Sequence, residues 1–465
     1  MIKNHDELHE ECGVVAIWGD DNAAQLTYYG LHSLQHRGQE AAGIVVRNKS
    51  RKLNIHKGEG LVSEVFNKEK IEKLSGNAAI GHVRYSTAGG GGIMNVQPFL
   101  FRTLDGMMGI AHNGNIVNAN LLKKELEENG SIFNSTSDTE VLGHLIKRET
   151  GRFVDRICKS LEKIDGAFAF VILVEDALYV ARDRYGLRPL SMGRLPSGGY
   201  MFSSETCALD IAGAEYVRDV EPGEIIRVKD GIIKSKKYTE TLPICNKLCA
   251  MEYIYFSRPD SNLDGINVHT ARKTCGKTLF EEAPVEADLV IGVPDSSISA
   301  AIGYSEASGI PYEMGLIKNK YVGRTFIQPT QEMRERGVRM KLSAVSSIVK
   351  GKRVIMIDDS IVRGTTSKRI VKLLKEAGAT EVHVRIASPA IKFPCFYGVD
   401  TSTKDQLIGA QMSVEEIRDY IHADTLRFMT EEEMKEATHG VGLCLACFNG
   451  EYCTKLFSYQ EELDK

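Results

Sequence analysis

The chain contains 465 residues, of which 43% are hydrophobic and 26% are charged, and its formal net charge is −4 at pH 7. This length exceeds the usual size of a single hydrophobic core, so two domains are expected. The small negative charge argues against nucleic acid or an anionic membrane as a partner, and no apolar run is long enough to span a bilayer.

The first residues, Met1–Glu11, are polar and acidic, unlike a secretory signal. A cytoplasmic, reducing location is therefore expected. The ten cysteines are too sparse for a disulfide scaffold in a chain of this size. They are instead candidates for catalysis, metal binding or burial, and Cys158, Cys207 and Cys275 have apolar or helical neighbours that favour a core position.

Short apolar segments separated by Gly-rich turns predict strands through most of residues 12–240. Two helical patterns interrupt them, near Ala23–Leu34 and Ala119–Glu128. Runs of strands with few helices are typical of an α+β domain in which sheets pack between helices. The predicted strands lie in CGVVAIWG, AAGIVVR, AAIGHVRYS, MMGIAHNGNI, AFAFVILVEDALYVARD and GEIIRVKDGIIKSK.

The pattern changes after residue 240. Residues 241–267 predict a connection, and residues 268–410 alternate between strand and helix, as in a doubly wound parallel α/β sheet. Residues 411–465 predict a charged helical tail that is interrupted by GVGLCLACFNG. The sequence thus indicates an α+β domain fused to an α/β domain.

Cys12 stands immediately before a predicted strand, and three polar motifs accompany it in the same domain. A thiol with a pKa of about 8.5 needs a base, and an α-amino group with a pKa of about 7.7–8.0 would suit it if Cys12 were the first residue. The nearest other bases, His32 and His36, lie on a predicted helix. Taken alone, Cys12 is equally compatible with a buried structural thiol. The motifs are GHVRYST at residues 81–87, AHNGNI at 111–116 and SDTE at 137–140.

Together with QHRGQEAAG at residues 35–43, Cys12 and these motifs resemble the class II glutamine amidotransferases. The resemblance implies the N-terminal-nucleophile hydrolase fold, an αββα sandwich. It also implies that Cys12 is the nucleophile, that its own α-amine is the base, and that Met1–Glu11 is a propeptide which is removed.

The same resemblance assigns roles to the three motifs. Asn113 and the amide of Gly114 would form the oxyanion hole for the tetrahedral intermediate. His82, Arg84 and Asp138 would bind glutamine, with Arg84 on its α-carboxylate and Asp138 on its α-ammonium group. The structural alternatives are an internal ion pair for Arg84 and a helix N-cap for Asp138.

The stretch Val354–Ser367, VIMIDDSIVRGTTS, runs from apolar residues into two acids and a loop of small hydroxyl residues. It predicts a buried parallel strand, a loop at its carboxyl end and a helix over Ser367–Ala377. Helix N-terminal amides favour an anion there, and adjacent carboxylates suit ribose hydroxyls or a magnesium ion. The structural alternative is an ordinary strand-to-helix turn capped by Asp and Thr.

This stretch resembles the phosphoribosyl-pyrophosphate (PRPP) loop of the type I phosphoribosyltransferases. The resemblance implies one Mg²⁺ per subunit, bound by Ser296, Asp358 and Asp359, with Ser296 supplied by the loop VIGVPDSS at residues 290–297. It also implies that basic residues of Tyr321–Ser343 form a lid over the pyrophosphate, whereas such charge runs usually form a solvated face. The implied PRPP-binding residues are Arg324, Arg339, Lys341, Asp358, Asp359, Ser360, Arg363, Gly364, Thr365 and Thr366.

Both halves, in this order, resemble the glutamine PRPP amidotransferase family of pentosyltransferases. The resemblance implies synthesis of 5-phospho-β-D-ribosylamine, pyrophosphate and glutamate from glutamine, water and PRPP, the first committed step of purine biosynthesis. Ammonia would pass internally from Cys12 to PRPP. A homotetramer inhibited by the purine nucleotides AMP, GMP, ADP and GDP is also implied. The alternatives are a nucleotide-sensing regulator that has lost catalysis and a plain glutaminase or amide hydrolase.

Cys444 and Cys447 form a CxxC motif, which suits zinc, an iron–sulfur cluster or a redox pair. Spacing does not separate these possibilities. Resemblance to the Bacillus-type members of the family implies one [4Fe–4S] cluster per subunit, whereas Cys245 and Cys453 receive no role. The implied cluster ligands are Cys249, Cys395, Cys444 and Cys447.

Overall fold

The structure is a computed structural model that describes residues 12–85, 92–319, 342–399 and 403–456. Its first half is a sandwich of two facing antiparallel sheets between two layers of helices, the αββα architecture expected from the sequence. The strands are β1 (Gly13–Trp18), β2 (Ala41–Arg47), β3 (Leu53–Glu59), β4 (Ala78–Arg84), β5 (Phe99–Thr103), β6 (Gly106–Ile116), β7 (Gly166–Val174), β8 (Leu178–Arg182), β9 (Ser191–Arg194), β10 (Tyr200–Ser203), β11 (Glu215–Asp219), β12 (Glu224–Lys229) and β13 (Ile232–Lys237).

The first sheet has seven strands in the order β11-β9-β10-β1-β4-β2-β3, and the second has six in the order β13-β12-β8-β7-β6-β5. Strand β1 is buried along its whole length because both faces of its sheet are covered. Val15 and Ile17 pack against helices, whereas Val14 and Ala16 pack between the sheets. This alternation follows from the two-residue period of a strand.

Seven helices form the outer layers of the sandwich. The first three and the last cover the seven-stranded sheet, and the other three cover the six-stranded sheet. They are α1 (Ala23–Ser33), α2 (Val62–Val65), α3 (Lys68–Lys73), α4 (Ala119–Glu128), α5 (Thr139–Arg148), α6 (Phe153–Lys163) and α7 (Thr206–Ile211).

A short connecting segment leads to the second half. It contains β14 (Leu248–Cys249), a π-helical turn (Glu252–Phe256), β15 (Asn262–Leu263) and β16 (Ile266–Asn267). The second half and the tail contain α8 (Val268–Glu282), β17 (Leu289–Gly292), α9 (Ile298–Ser308), β18 (Leu316–Lys318), β19 (Leu342–Ala344), α10 (Ser346–Val349), β20 (Arg353–Asp358), α11 (Thr365–Glu376), β21 (Glu381–Ile386), α12 (Ile408–Gln411), α13 (Val414–Ile421), β22 (Thr425–Phe428), α14 (Glu431–Ala437), β23 (Leu443–Cys444) and α15 (Ala446–Asn449).

The main sheet of the second half is parallel, in the order β17-β20-β21-β22. A parallel bridge between Val290 and Tyr312 extends it on the other side of β17. The strand order therefore reverses between β17 and β20, which is the topological switch point where open α/β sheets bind ligands. One face packs against α8 and α9 and the other against α11 and α13, so the predicted doubly wound sheet is confirmed.

Several elements differ from the sequence prediction. Helices α5 and α6 were not predicted, and the tail supplies strand β22 to the parallel sheet in addition to helices. Helix α11 begins at Thr365, two residues before the predicted start. No helix among the described residues is long and apolar enough to cross a membrane.

Candidate active site

The candidate nucleophile, Cys12, lies where β1 begins, next to the end of β4. Its Sγ is 3.9 Å from the carbonyl oxygen of Tyr85, and its φ of +40° lies in the left-handed region that non-Gly residues seldom adopt. Ser204 joins this point to strand β6, because its hydroxyl accepts hydrogen bonds from the Val14 amide (3.0 Å) and from Asn113 Nδ2 (3.4 Å). Ser204 thus links the start of β1, two residues after Cys12, to Asn113 on β6.

The two predicted oxyanion-hole residues follow each other on β6. Asn113 is fully buried, and its only described Nδ2 hydrogen bond is the long one to Ser204, so the amide has donor capacity for a ligand. Gly114 has a φ of +137°, and a Cβ there would lie 2.1 Å from the carbonyl oxygen of Ala167. Only glycine can therefore occupy this position.

His82 and Arg84 are two residues apart on β4 and so face the same side of the sheet. His82 is fully buried, with Nε2 3.1 Å from the carbonyl oxygen of His112. Burial, assisted by the charge of Arg84, lowers the pKa of His82 to about 3, so the ring is neutral at physiological pH. Of the two residues, Arg84 is the one that carries a charge for a substrate carboxylate.

Asp138 lies at the N-terminus of α5, on the opposite side of β6 from the interior of the sandwich. Its Oδ2 accepts a hydrogen bond from the Ile116 amide at 2.8 Å, and its Oδ1 is 3.8 Å from His112 Nδ1. Burial alone would raise the pKa of Asp138, but His112 and the amides of Ile116 and Thr139 outweigh it and lower the pKa. Asp138 occupies the N-cap position of α5, but its side chain makes no capping hydrogen bond there.

The second site is formed by two loops at the carboxyl ends of β17 and β20. Ser296, in the first loop, donates a hydrogen bond to Asp359 in the second, and Ser360 donates another to Asp359 at 2.6 Å. Ser297 Oγ donates to Asp358 at 3.3 Å. The structure thus brings together the three residues predicted to bind magnesium.

Asp358 and Asp359 are both nearly buried, with 6% and 9% of their surface exposed. Burial, and then the neighbouring charge of Asp359, raise the pKa of Asp358 well above its usual range. Within the described ranges, no Lys or Arg forms an ion pair with Asp358. Such a carboxylate is stabilised by any cation that enters the site.

The loop after β20 closes into helix α11 through Gly364, which has a φ of +78°. A Cβ at Gly364 would lie 2.8 Å from Ile408 Cδ1, so the position requires glycine for space as well as for conformation. Thr365 Oγ1 is buried and has no hydrogen-bond partner among the described residues. Together with the first amides of α11 it offers donors for a phosphate group. The predicted lid residues Arg324, Arg339 and Lys341 lie outside the described residues.

A third site is the cysteine cavity, an enclosed space at the junction of the two halves that is lined by all four predicted cluster cysteines. Cys249 pairs with Cys444 in the two-stranded parallel sheet β14-β23, and the Tyr397 amide donates to Cys395 Sγ at 3.3 Å. Burial raises the pKa of Cys249 to about 12, so a thiolate needs a positive group beside it. The lining residues are Leu187, Arg188, Cys249, Met251, Ile391, Cys395, Tyr397, Val399, Cys444, Ala446 and Cys447.

The comparisons with known proteins agree with this geometry. A family described as glutamine amidotransferase domain matches residues 89–210, and one described as phosphoribosyl transferase domain matches residues 270–392. The amidophosphoribosyltransferase of Bacillus subtilis is 60% identical over 98% of this chain and 97% of its own length. That of Staphylococcus aureus is 53% identical over 98% of this chain and 94% of its own length.

The chain belongs to the amidophosphoribosyltransferase family. A solved glutamine PRPP amidotransferase from B. subtilis, complexed with ADP and GMP, superimposes with a TM-score of 0.91 at 58% identity, covering 96% of this chain and 98% of that one. The protein is thus a pentosyltransferase that uses glutamine and PRPP in purine biosynthesis. The predicted amidotransferase reaction is therefore confirmed, and the two alternatives, a regulator without catalysis and a plain glutaminase, are not supported.

Two residues of this amidophosphoribosyltransferase site were not predicted. Ser204 follows β10 and bridges Val14 to Asn113, and Arg37 donates from Nε to the carbonyl oxygen of Cys12 at 3.2 Å. Arg37 belongs to the motif QHRGQEAAG, so its sequence context gave a signal. Ser204 gave only a weak one, a small polar residue after an apolar strand.

Proposed function

We propose that Cys12 attacks glutamine after Met1–Glu11 has been removed, with its own α-amino group as the base. The observation that carries this proposal is the Ser204 bridge, which joins Val14, two residues after Cys12, to Asn113. His36 is a poor alternative base because its Nε2 is engaged by Glu205 at 2.7 Å. The positive φ of Cys12 adds support, since cleavage before Cys12 would release a strained backbone angle.

The chemistry follows from these groups. The thiol proton passes to the α-amine, and the thiolate attacks the side-chain carbonyl carbon of glutamine. Asn113 Nδ2 and the Gly114 amide stabilise the oxyanion of the tetrahedral intermediate. The α-ammonium group of Cys12 then protonates the departing nitrogen and the C–N bond breaks. Ammonia is released, and Cys12 remains bound to the glutamyl group as a γ-glutamyl thioester. Water hydrolyses the thioester to glutamate and restores the thiol.

Glutamine is oriented by its charged α-carboxylate and α-ammonium groups. Arg84 pairs with the α-carboxylate, and Asp138, whose lowered pKa keeps it ionised, accepts from the α-ammonium group. His82 is fully buried and neutral. Its described contact is the one with the His112 carbonyl oxygen, and its binding of glutamine stays a prediction.

In the second half, the loop donors bind PRPP and the acids bind its ribose and a magnesium ion. Ser360, Arg363, Gly364, Thr365 and Thr366 would surround the phosphate, and Arg324, Arg339 and Lys341 would cover the pyrophosphate. Magnesium, held with Ser296, Asp358 and Asp359, would neutralise the leaving pyrophosphate. Ammonia that has passed internally from Cys12 forms a bond to the ribose carbon as the bond to pyrophosphate breaks.

A two-substrate assay tests the division of labour. Cys12→Ala should reduce glutamine-dependent phosphoribosylamine synthesis by about a thousandfold or more, because the nucleophile is lost. It should leave synthesis from added ammonia within about twofold of wild type, because the PRPP site is untouched. Loss of both activities in a folded variant would contradict the proposal.

Mass spectrometry of active enzyme should detect a chain that begins at Cys12. Full glutamine-dependent activity in a chain that still begins at Met1 would rule out the α-amine as the base.

We also propose that the cysteine cavity holds one [4Fe–4S] cluster, bound by Cys249, Cys395, Cys444 and Cys447. Across the described ranges, no three His, Cys, Asp or Glu side chains converge closely enough for a single metal ion. Four thiols line this one cavity, a donor set that both zinc and a [4Fe–4S] cluster take, and the resemblance to the Bacillus-type members of the family favours the cluster. The cluster would supply the positive charge that buried thiolates require and would join three distant segments.

Anaerobically purified protein should be brown and contain about four iron and four sulfide per chain. Cys447→Ser should lose the colour and much of the soluble protein, whereas Cys158→Ser, which alters a buried thiol outside the cavity, should keep the colour. Colourless, stable and active protein with stoichiometric zinc would exclude the cluster.

Regulation by purine nucleotides is proposed from the relative that was solved with ADP and GMP. AMP, GMP, ADP and GDP are the expected inhibitors, and a cytoplasmic homotetramer is the expected assembly. Inhibition assays and analytical ultracentrifugation test these two expectations separately.

A further inference from the structure

Arg37, which contacts the backbone of Cys12, forms two ion pairs that have no part in the reaction described above. Arg37 is 1% exposed and Glu252 is 0% exposed, and the two side chains pair at 2.7 and 2.9 Å through both guanidinium nitrogens. Glu205 accepts a further hydrogen bond from Arg37 at 2.6 Å. Arg37 donates its remaining Nε–H to the carbonyl oxygen of Cys12 at 3.2 Å. The Arg37 guanidinium group is therefore held by two carboxylates and by the backbone carbonyl oxygen of Cys12.

Glu252 extends this contact toward the second half of the molecule. It is the first residue of the π-helical turn in the connecting segment, and its Oε1 also lies 3.4 Å from an Arg188 nitrogen. Arg188 lines the cysteine cavity and donates to the carbonyl oxygen of Tyr397 at 2.8 Å. The Tyr397 amide in turn donates to Cys395 Sγ.

These contacts form one continuous hydrogen-bonded path from Cys12 to the cysteine cavity. It runs from the Cys12 carbonyl through Arg37, Glu252, Arg188 and the Tyr397 backbone to Cys395. The side chains on it are almost fully buried, so water does not replace a lost partner. Movement of the residues at either end of the path would therefore distort the hydrogen bonds between them.

We propose that Arg37 is a positioning residue for Cys12, and that Glu252 and Arg188 tie its orientation to the order of the cysteine cavity. This inference rests on the proposed role of Cys12 as the nucleophile. The Arg37 hydrogen bond fixes the peptide plane of Cys12, and this plane determines where the thiol and the α-amine lie relative to Asn113. Glutamine use, but not the use of added ammonia, then depends on an intact cavity.

The proposal is tested with Glu252→Gln, which keeps the size of the side chain and removes its charge. We expect kcat/KM for glutamine to fall by about tenfold to a hundredfold, as is typical when a reacting group is misplaced. The ammonia-dependent rate should stay within about twofold of wild type. Alkylation of Cys12 by a diazoketone analogue of glutamine should slow in parallel, which reports on the nucleophile directly.

The matched control is Glu224→Gln. Glu224 is 4% exposed and binds Arg218 through both nitrogens at 2.7 and 2.8 Å, in the same domain but away from the path. This variant loses an ion pair of the same two-bond geometry whose arginine is more exposed, so it should change both rates equally or neither. Equal loss of both rates in Glu252→Gln, or the same selective loss in Glu224→Gln, would overturn the proposal.

A second variant covers failure of Glu252→Gln to fold. Arg188→Lys keeps the charge but cannot bridge Glu252 and the Tyr397 carbonyl with a planar fork. It should lower the ratio of glutamine-dependent to ammonia-dependent synthesis by a smaller factor, and an unchanged ratio would refute the link to the cavity. Cys12→Ala with full glutamine use would instead refute the proposed nucleophile, so the two failures are distinguishable.

Discussion

Buried carboxylates have opposite electrostatic surroundings in the two halves of the molecule. Glu205 in the first half and Glu252 in the connecting segment are fully buried, and Asp358 in the second half is nearly so. Burial raises the pKa of each group, but Arg37 with His36 lowers the pKa of Glu205, and Arg37 with Arg188 lowers that of Glu252. The pKa of Asp358 is raised well above its usual range because burial is reinforced by the charge of Asp359.

Buried carboxylates that are paired with arginines stabilise the structure, whereas a buried carboxylate without such a partner is suited to binding a ligand. The glutaminase half supplies its own cations, so its charges are balanced before glutamine arrives and can hold Cys12 in place. In the second half, no Lys or Arg among the described residues pairs with Asp358, so a cation that enters the site would balance its charge. Strongly perturbed acids at a topological switch point are typical of ligand sites.

The largest expected effect comes from breaking the acidic site. Asp359→Asn should reduce both glutamine-dependent and ammonia-dependent synthesis by on the order of a hundredfold to a thousandfold, because both reactions need bound PRPP. The matched control is Asp288→Asn, which removes a partly exposed carboxylate paired with Arg353 elsewhere in the same domain. Initial rates of pyrophosphate release with each nitrogen source measure the effect. Normal PRPP-dependent turnover in Asp359→Asn would remove this residue from the site.

A smaller and selective effect is expected from the oxyanion hole. Asn113→Ala should lower kcat with glutamine by about a hundredfold and leave the ammonia-dependent rate unchanged, since one donor to the oxyanion is lost.

Asn118→Ala is the control for Asn113→Ala. Asn118 is also buried, and it hydrogen-bonds the Lys163 carbonyl and the Asp165 amide rather than the site. A similar selective loss in Asn118→Ala would show that Asn113 acts only through the stability of the domain.

Features that depend on short stretches of chain could be predicted from the sequence. The α+β and doubly wound classes, the acids after β20 and the exact bounds of α4 follow from local patterns, whereas the αββα sandwich was implied by the family resemblance. Helix α5 was missed although its polar and apolar residues alternate at helical spacing, with polar residues at Glu140, His144 and Lys147, so its pattern could have been recognised. Helix α6 also has buried residues at helical spacing, and its pattern could likewise have been recognised.

The charge balance could not be predicted in the same way. Glu252 is 215 residues from Arg37, and Glu205 is 168 residues away, so no local spacing relates them. Their pairing depends on how the connecting segment packs against the first sheet. Likewise, Cys249 and Cys444 were placed together by resemblance alone, whereas the parallel pairing of β14 with β23 supplies a physical reason.

The smallest expected effect is on stability, and it tests the unbalanced charge directly. The pKa of Asp358 is higher in the folded protein than in the unfolded chain, where it is about 3.9. Folding therefore favours the protonated acid, and the stability contributed by this group falls as pH rises from the unfolded pKa toward the folded one.

Without magnesium, Asp358→Asn should thus be more stable than wild type at neutral and alkaline pH, by about 1 kcal/mol, although it loses activity. Thermal unfolding between about pH 5 and pH 8 should show a steeper decline for wild type than for the variant. Added Mg²⁺ with pyrophosphate should stabilise wild type more, because the cation offsets the charge that the variant lacks. A variant that is less stable than wild type at every pH without magnesium would mean that Asp358 is balanced within the protein, as Glu252 is, and the contrast between the two halves would fail.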